Sequence, residues 1–245
     1  MSMASSKKYK IVEFDCDGVL IDGYASIYAA DELGFGEKIR GIYKDVITGS
    51  KNFSQAVKDS LKLFIGLKES DIAPILNSVP LMEGAEDTVK ILKKNGFIVG
   101  TISTGASQYF TDVLKNRLNL DFSLGTGVKV KDGVFTGISP PIIDMKNKDR
   151  HFAKIVKKYG FNLSECVAVG DDVSNVSLFK KVGFSIAFNT DCLKREFEKL
   201  SLSSSEKASL ISILSLAEMQ VKSNARATID KKDLRAILPV LGIKL

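Results

Sequence analysis

The sequence predicts an α/β fold in which a parallel sheet is covered by helices on both faces. Short apolar segments typical of buried strands alternate with amphipathic helical segments along most of the chain. Clusters of polar residues follow three of these strands, where parallel sheets bind their ligands. The chain has 245 residues, 44% hydrophobic and 26% charged, which suits one large domain carrying a smaller insertion.

The strand segments are short and rich in β-branched residues, whereas the helical segments place apolar residues on one face. Strands are predicted at 9–14, 97–102, 166–169, 184–188 and 227–229. Helices are predicted at 84–95, 106–119, 147–159, 173–182 and 233–241, with an apolar helix around 210–216. Because strand and helix alternate, we expect the strands to run parallel.

Two segments interrupt this alternation. Residues 22–81 show helical periodicity without a convincing buried strand, which indicates a helical insertion. Residues 128–136 alternate polar and apolar side chains around Asp132-Gly133, which predicts a β-hairpin forming a flap or a sheet extension.

Composition and charge argue against several classes of protein. The 35 Lys and Arg exceed the 29 Asp and Glu, a charge of +6 that suits an anionic ligand, but no nucleic-acid-binding motif accompanies them. No apolar run approaches the roughly 20 residues that cross a bilayer, and residues 1–8 lack the apolar stretch of a signal peptide. Three cysteines without CxxC spacing and one histidine argue against disulfides and structural zinc. We therefore expect a soluble, cytoplasmic protein without nucleic-acid or membrane partners.

Polar side chains cluster where three of the predicted strands end. They are Asp15 and Asp17 after the first strand, Ser103, Thr104 and Gly105 after the second, and Asp171 and Asp172 after the third. Because the carboxyl ends of parallel strands meet at one edge of a sheet, we expect these residues to form one constellation.

The aspartates predict a metal site. Gly18 permits a tight turn through which Asp15 and Asp17 face the same edge, and their mutual repulsion favours a bound cation. Asp171 would complete a set of hard oxygen ligands, for which Mg²⁺ is the best match.

The residues after the second strand predict a phosphate site. Ser103 and the backbone N–H groups of Thr104 and Gly105, expected at the start of a helix, are donors of the kind that hold phosphate. Lys148 would add a positive charge. Each feature is common by itself, and their order along one α/β scaffold is what favours a phosphate site.

Four motifs and several longer segments match one known family. FDCDGVL matches the first motif, TISTG the second, Lys148 the third, and VAVGDD with Asn175 the fourth. The segments at 82–97 and 228–238 are also similar. The chain therefore resembles the phosphoserine phosphatases of the haloacid dehalogenase superfamily over most of its length. Residues 193–223 are longer than their counterpart there and indicate an insertion.

The resemblance implies a fold and a domain organisation. It implies a Rossmann-like three-layer core with a parallel sheet at residues 1–21 and 82–245. It also implies a small helical cap domain at 22–81 that closes over the substrate, and a β-hairpin flap. A monomer or a homodimer is expected.

The resemblance also implies a mechanism, the Mg²⁺-dependent hydrolysis of a small phosphorylated metabolite. Asp15 would attack phosphorus and form an aspartyl-phosphate. Asp17 would protonate the leaving alkoxide and then activate water, and it would contact the metal through its backbone carbonyl. Ser103, the Thr104 and Gly105 amides and Lys148 would stabilise the phosphoryl oxygens.

Departures from the family pattern concern the metal and the substrate. Asn175 stands where the family has an aspartate, and Asp172 would restore the lost charge near the metal. The positions of a glutamate and an arginine that hold the phosphoserine head group are occupied by Tyr24 and Ser60, with Lys58 nearby. Because lysine cannot reproduce the arginine fork, we expect a small phosphomonoester other than phosphoserine.

Three alternatives stay open. They are a phosphoserine phosphatase proper, a phosphotransferase or phosphomutase that passes the phosphoryl group to another acceptor, and a phosphate-binding module with weakened chemistry. Asn175 favours the last of these, and the intact pair of Asp15 and Asp17 opposes it. Cys16, between the two aspartates, is interpreted as a spacer, and His151 as a residue on a helix face.

Overall fold

A seven-stranded sheet forms the centre of the computed structural model, which describes residues 8–198 and 202–244. The strands are β1 (Ile11–Phe14), β2 (Ile98–Ser107), β3 (Phe122–Lys131), β4 (Val134–Ser139), β5 (Cys166–Gly170), β6 (Phe184–Phe188) and β7 (Ala227–Ile229). Their order across the sheet is β4-β3-β2-β1-β5-β6-β7. β3 and β4 pair antiparallel and the other neighbours pair parallel. The predicted α/β fold with a mostly parallel sheet is confirmed.

Helices connect most of the strands. They are α1 (Ala25–Glu32), α2 (Gly36–Ile47), α3 (Phe53–Lys62), α4 (Glu69–Ser78), α5 (Ala85–Lys94), α6 (Gln108–Leu118), α7 (Lys148–Lys158), α8 (Val176–Phe179), α9 (Cys192–Glu198), α10 (Ser204–Asn224) and α11 (Ile237–Val240). No helix in the described ranges has both the length and the apolar character that crossing a membrane requires.

The two faces of β1 pack in different hydrophobic clusters. Val12 and Phe14 share one cluster with Val89 of α5, whereas Ile11 shares another with Phe152 of α7. This alternation is expected for a strand that is buried on both faces. Glu13 points to the same face as Ile11 and is completely buried, so a carboxylate interrupts the apolar interior.

Helices α1 to α4 form the insertion between β1 and α5. Ile21 and Leu81 pair in an antiparallel bridge, and the Asp22 N–H donates to the Pro80 carbonyl at 3.0 Å. The chain therefore leaves the core and returns to it at adjacent points. The helical character predicted for residues 22–81 agrees with these elements.

The predicted hairpin is present and also contacts the insertion. Asp132 and Gly133, with φ of 50° and 72°, form its turn, as the Asp-Gly pair predicts. The Phe135 N–H donates to the Leu67 carbonyl at 3.0 Å, and the Phe135 carbonyl accepts from the Gly66 N–H at 2.8 Å. Strand β3 begins well before the predicted hairpin and pairs with β2, so the hairpin extends the main sheet.

Two predicted helix boundaries are wrong. Strand β2 continues to Ser107 and α6 begins at Gln108, because the Ser107 side chain caps that helix by accepting from the Phe110 N–H. The helix predicted at 173–182 is a single turn at 173–175 followed by the short α8. Asp172 accepts from the Ser174 N–H and starts this turn.

Candidate active site

The ends of β2, β1 and β5 meet in the middle of the sheet, because β1 pairs with both of the other strands. The residues that follow these strands line a small pocket of about 20 Å³. Its lining consists of Asp15, Asp17, Tyr24, Tyr43, Phe53, Ser103, Thr104, Gly105, Asp171 and Asp172. The constellation expected at the carboxyl edge of the sheet is therefore present.

Asp15 is held by several donors. Its Oδ1 accepts from the Cys16 N–H at 2.8 Å, and its Oδ2 accepts from Asn175 Nδ2 at 2.5 Å. Lys148 Nζ lies 3.1 Å from the same Oδ2. These contacts fix the plane of a buried carboxylate.

A tight turn follows Asp15, and glycine is required in it. Gly18 has φ of 70°, and a Cβ on this residue would lie 2.3 Å from Asp171 Oδ2. The Gly18 carbonyl accepts from Asn189 Nδ2 at 2.7 Å. Gly18 thus allows the turn after β1 to approach the end of β5 closely.

Asp17 joins the turn to the insertion. Its Oδ1 accepts from the N–H of Ala25, the first residue of α1, at 2.8 Å. Burial raises the pKa of Asp17 to about 7, although the Ala25 hydrogen bond works in the opposite direction. A carboxyl group with this pKa can exchange protons near neutral pH.

Asp15, Asp171 and Asp172 form an acidic cluster in which one oxygen from each residue lies within 4.8 Å of the others. Burial raises the pKa of Asp171 well above its ordinary value, and the neighbouring carboxylates add to this effect. Burial also raises the pKa of Asp172. Three carboxyl groups this close together, two of them with raised pKa values, suit a hard divalent cation such as Mg²⁺.

The Asp17 side chain is not part of this cluster, because its Oδ1 binds the Ala25 N–H. Metal contact through the Asp17 backbone carbonyl stays a prediction. Asp172, by contrast, places its carboxylate within the cluster. Compensation by Asp172 for the aspartate that Asn175 replaces stays a prediction.

Lys148 lies in a fully buried polar network rather than on a solvated helix face. Its Nζ donates to Asn175 Oδ1 at 2.6 Å and lies 3.2 Å from Glu13 Oε1. Burial works against the charge on Lys148, but the Asp15 and Glu13 carboxylates outweigh it and hold the Lys148 pKa above its usual value. The ammonium group therefore stays charged beside Asp15.

Glu13 is a residue of this network that sequence reasoning missed. Burial raises its pKa to about 7, and Lys148 partly offsets this rise. Its polar neighbour in the described part of the chain is the Lys148 ammonium, 3.2 Å from Oε1. The sequence does contain a signal for it, a single charged residue within an apolar strand. Such a residue requires a buried partner of opposite charge, which here is Lys148.

The donors predicted at a helix start belong instead to the end of a strand. Thr104 and Gly105 belong to the extended end of β2, so no helix N-terminus contributes here. Ser103 Oγ accepts from the N–H groups of Gly105 and Ala106 at 3.3 and 3.0 Å. Ser103 thereby shapes the irregular end of the strand next to Asp15, and its own O–H remains available as a donor.

The insertion contributes two tyrosines to the pocket. The buried Tyr24 donates from its O–H to Asp171 Oδ2 at 3.4 Å. Tyr43, which sequence reasoning missed, packs edge-on against Tyr24 with ring centroids 5.6 Å apart. Both phenols have pKa values raised by burial, so they remain protonated donors.

The other substrate candidates lie further from Asp15. Ser60 is buried and lines a separate space of about 20 Å³ with Tyr43 and Phe53. Lys58 lies on α3 and is not among the residues that line the pocket around Asp15 in the described part of the chain. Cys16 is completely buried, and His151 lies on α7.

Comparison with known proteins agrees with this geometry. The model of a family described as haloacid dehalogenase-like hydrolase matches residues 9–183. A phosphoserine phosphatase of Methanocaldococcus jannaschii is 33% identical over 183 residues, which are 74% of this chain and 86% of that protein. One of Archaeoglobus fulgidus is 31% identical over 219 residues, 89% of this chain but only 63% of that protein.

Solved structures show the same similarity. A substrate-bound phosphoserine phosphatase complex has 29% sequence identity and a TM-score of 0.74, with 96% of this chain and 99% of that chain covered. A phospho-aspartyl intermediate analogue of phosphoserine phosphatase has 30% identity, the same TM-score of 0.74 and the same coverage.

Proposed function

The chain belongs to the haloacid dehalogenase-like hydrolases and is a phosphatase similar to the phosphoserine phosphatases, and from this membership we propose that it hydrolyses a small phosphomonoester through an aspartyl-phosphate on Asp15. The observation that carries the proposal is the Asp15 carboxylate, buried beside Lys148 and within the cluster of Asp171 and Asp172. This arrangement combines a nucleophile with the positive charge that an anionic substrate requires.

In the first step Asp15 attacks phosphorus, and the bond from phosphorus to the ester oxygen breaks. Asp17 gives its proton to the departing alkoxide, for which the raised pKa of about 7 is suited. In the second step Asp17, now ionised, takes a proton from water, and the resulting hydroxide displaces Asp15. Inorganic phosphate leaves, and both aspartates return to their starting states.

The phosphoryl oxygens need donors near Asp15. Lys148 stays charged because its carboxylate neighbours hold its pKa high, and it faces Asp15 Oδ2. The Ser103 hydroxyl and the Thr104 and Gly105 backbone are the remaining candidates at the rim of this pocket. Fixed donors of this kind stabilise charge without reorganising during the reaction.

The carboxylates of Asp15, Asp171 and Asp172 would hold Mg²⁺, together with the backbone carbonyl of Asp17. When bound, Mg²⁺ supplies positive charge that offsets the repulsion between the nucleophile and the phosphate. Asp172 takes the place of the carboxylate that Asn175 lacks.

Residues 22–81 act in this proposal as a cap over the core at 1–21 and 82–245. The pocket at Asp15, about 20 Å³, has room for little more than a water-sized group. Entry of a phosphomonoester therefore requires helices α1 to α4 to shift from the core, and α2 returns beside α10 once the substrate is bound. The chain passes between the core and the cap at the bridge between Ile21 and Leu81, so this bridge is the hinge in the proposal.

Phosphoserine itself is the second candidate substrate, since the relatives above carry the name phosphoserine phosphatase. Tyr24 and Ser60 argue against it, because neither offers the charge that an amino-acid head group needs. We therefore propose a different small phosphorylated metabolite as the substrate.

We further propose that the enzyme works in the cytoplasm as a monomer or a homodimer. Its three cysteines are all unpaired, as is usual for proteins kept in a reducing compartment. Cell fractionation and light scattering on the purified protein test these two statements.

The experiment that tests the function measures phosphate release from a panel of phosphomonoesters with and without Mg²⁺. Asp15→Asn should lower kcat by about 1,000-fold or more, because the amide is a poor nucleophile. Asp132→Asn, an exposed change in the hairpin turn, is the matched control. Full activity of Asp15→Asn would overturn the proposed nucleophile. Phosphate release that needs an added acceptor would indicate a phosphotransferase, and ligand binding without release would indicate a binding module.

A further inference from the structure

A cleft of about 450 Å³ lies beside the acidic cluster. Its walls come from α2 of the insertion, from α9 and from α10, and Asp171 and Asp172 also line it. The volume is within the range that small-molecule sites occupy, roughly 300–1,000 Å³. The cleft is much larger than the space at Asp15, which is about 20 Å³.

The cleft adjoins the pocket of the nucleophile. Tyr24, Tyr43 and Phe53, together with the two aspartates, line both spaces. Asp17, the proposed proton donor to the leaving group, lies near Tyr43, since both approach the position of a Cβ on Gly105. Because Tyr43 also lines the cleft, an ester oxygen beside Asp17 would lie close to the cleft.

The walls of the cleft are mainly apolar. Ile47 of α2, Leu193 of α9 and Leu214 and Val221 of α10 line it. The space around Ser60, where the resemblance places the arginine that binds a phosphoserine head group, is small and surrounded by apolar side chains such as Val57. Lys194 and Glu218 also line the cleft, but most of its lining is apolar. The cleft therefore matches a hydrocarbon group better than an ammonium or a carboxylate.

Helix α10 is held in place against the insertion. Lys44 Nζ of α2 lies 2.8 Å from Glu206 Oε1 of α10. Leu210 and Leu214 pack in one cluster with Ile47 of α2. The segment at 193–223, which is longer than its counterpart in the family, therefore forms one wall of the cleft.

We propose that the phosphomonoester substrate carries an apolar alcohol portion, aliphatic or aromatic, which binds in this cleft between α2, α9 and α10. This inference rests on the proposed phosphatase function and specifies the substrate class for the same site. The insertion at 193–223 then serves substrate selection.

A series of linear alkyl phosphates tests the proposal. Burial of one methylene group contributes about 0.8 kcal/mol, so kcat/KM is expected to rise about two- to fourfold per methylene from ethyl to hexyl phosphate. Values that stay equal along the series would overturn the apolar subsite. The phosphatase proposal would survive that result, provided that ethyl phosphate and O-phosphoserine still release phosphate.

Two residues of α10 give a matched pair of variants. Leu216 and Met219 are similarly exposed, at 65% and 66%, and Leu216 lines the cleft whereas Met219 is not among its lining residues. Leu216→Glu should lower the hexyl-to-ethyl ratio of kcat/KM by about tenfold, because it places a charge beside the alkyl group of the substrate. Met219→Glu adds the same charge to the same helix and should leave the ratio unchanged.

Binding measurements keep the inference testable without turnover. Calorimetry on Asp15→Asn with Mg²⁺ should show hexyl phosphate binding more tightly than ethyl phosphate, and Leu216→Glu in that background should remove the difference. Equal affinities would overturn the subsite. If both glutamate variants instead reduce the molecular mass in light scattering and leave the ratio unchanged, the apolar face of α10 is an interface between copies of the chain, and the proposal fails.

Discussion

The Asn175 amide nitrogen donates to Asp15 Oδ2 at 2.5 Å, so the residue that stands in place of the motif's aspartate binds the proposed nucleophile directly. Its amide oxygen accepts from Lys148 Nζ at 2.6 Å. A carboxylate at this position accepts from Lys148 but cannot donate to Asp15. Besides Asp15, the carboxyl group near Lys148 is that of Glu13, which lies on β1.

Exchanging Asn175 for aspartate should therefore harm this protein even though the family has aspartate there. Asn175→Asp removes a donor to Asp15 and places three carboxylates around one ammonium group. We expect kcat/KM to fall about tenfold or more. Glu13→Gln in the same chain should recover most of the loss, because two carboxylates then face Lys148 again. Steady-state kinetics of the single and double variants measure this coupling, and purely additive effects would contradict it.

The stability of the metal-free protein should fall between about pH 4.5 and pH 7. Burial raises the pKa of Glu13 from 4.5 to about 7, so the unfolded chain loses this proton at lower pH than the folded protein does. The contribution of Glu13 to the stability is complete below pH 4.5 and is lost as the pH rises toward 7. Glu13→Gln should remove up to about 3 kcal/mol of this decline in urea unfolding. The exposed Glu86→Gln is the control, and an equal decline in both variants would refute the assignment.

Gly18→Ala should damage the site through steric conflict. The added Cβ would lie 2.3 Å from Asp171 Oδ2, on a residue whose φ is 70°. We expect activity to fall about 100-fold and the unfolding free energy to drop by about 1–3 kcal/mol. Gly23→Ala separates the two causes, because Gly23 also has positive φ, 122°, but nothing within 4 Å of a Cβ. Equal loss of activity in both variants would mean that the contact with Asp171 is unimportant.

Removal of Mg²⁺ should lower the thermal stability, because the ion relieves repulsion among the buried carboxylates of the acidic cluster. Asp172→Asn should weaken Mg²⁺ binding about 10- to 100-fold in calorimetry. Asp132→Asn, far along the chain in the hairpin turn, should bind Mg²⁺ as the unaltered protein does. An unchanged affinity of Asp172→Asn would show that this acid does not compensate for Asn175.

The local order of residues was sufficient to predict most of the sheet and several site residues. Asp15, Asp17 and Asp171 follow apolar strands, and parallel strands bring such residues to one edge. The Asp-Gly turn of the hairpin was equally predictable, since both residues tolerate positive φ. The predicted helix at 106–119 puts Thr104 and Gly105 at a helix start, whereas Ser107 is the residue that caps α6.

Other features depend on contacts between residues far apart in the chain. The role of Glu13 can be recognised only from its contact with Lys148, 135 positions later, because a buried carboxylate needs a cation beside it. The 210–216 helix was predicted from its apolar residues, but its position against α2 was not, since an amphipathic pattern does not specify its partner.

The sequence by itself determined the α/β fold, the family and the acids at the strand ends, because strand periodicity and short motifs act over a few residues. The tertiary structure decided which charges surround Lys148 and which helix borders the space beside Asp171. Those outcomes follow from side-chain packing across the sheet and between insertions, where the distance in space is unrelated to the distance along the chain.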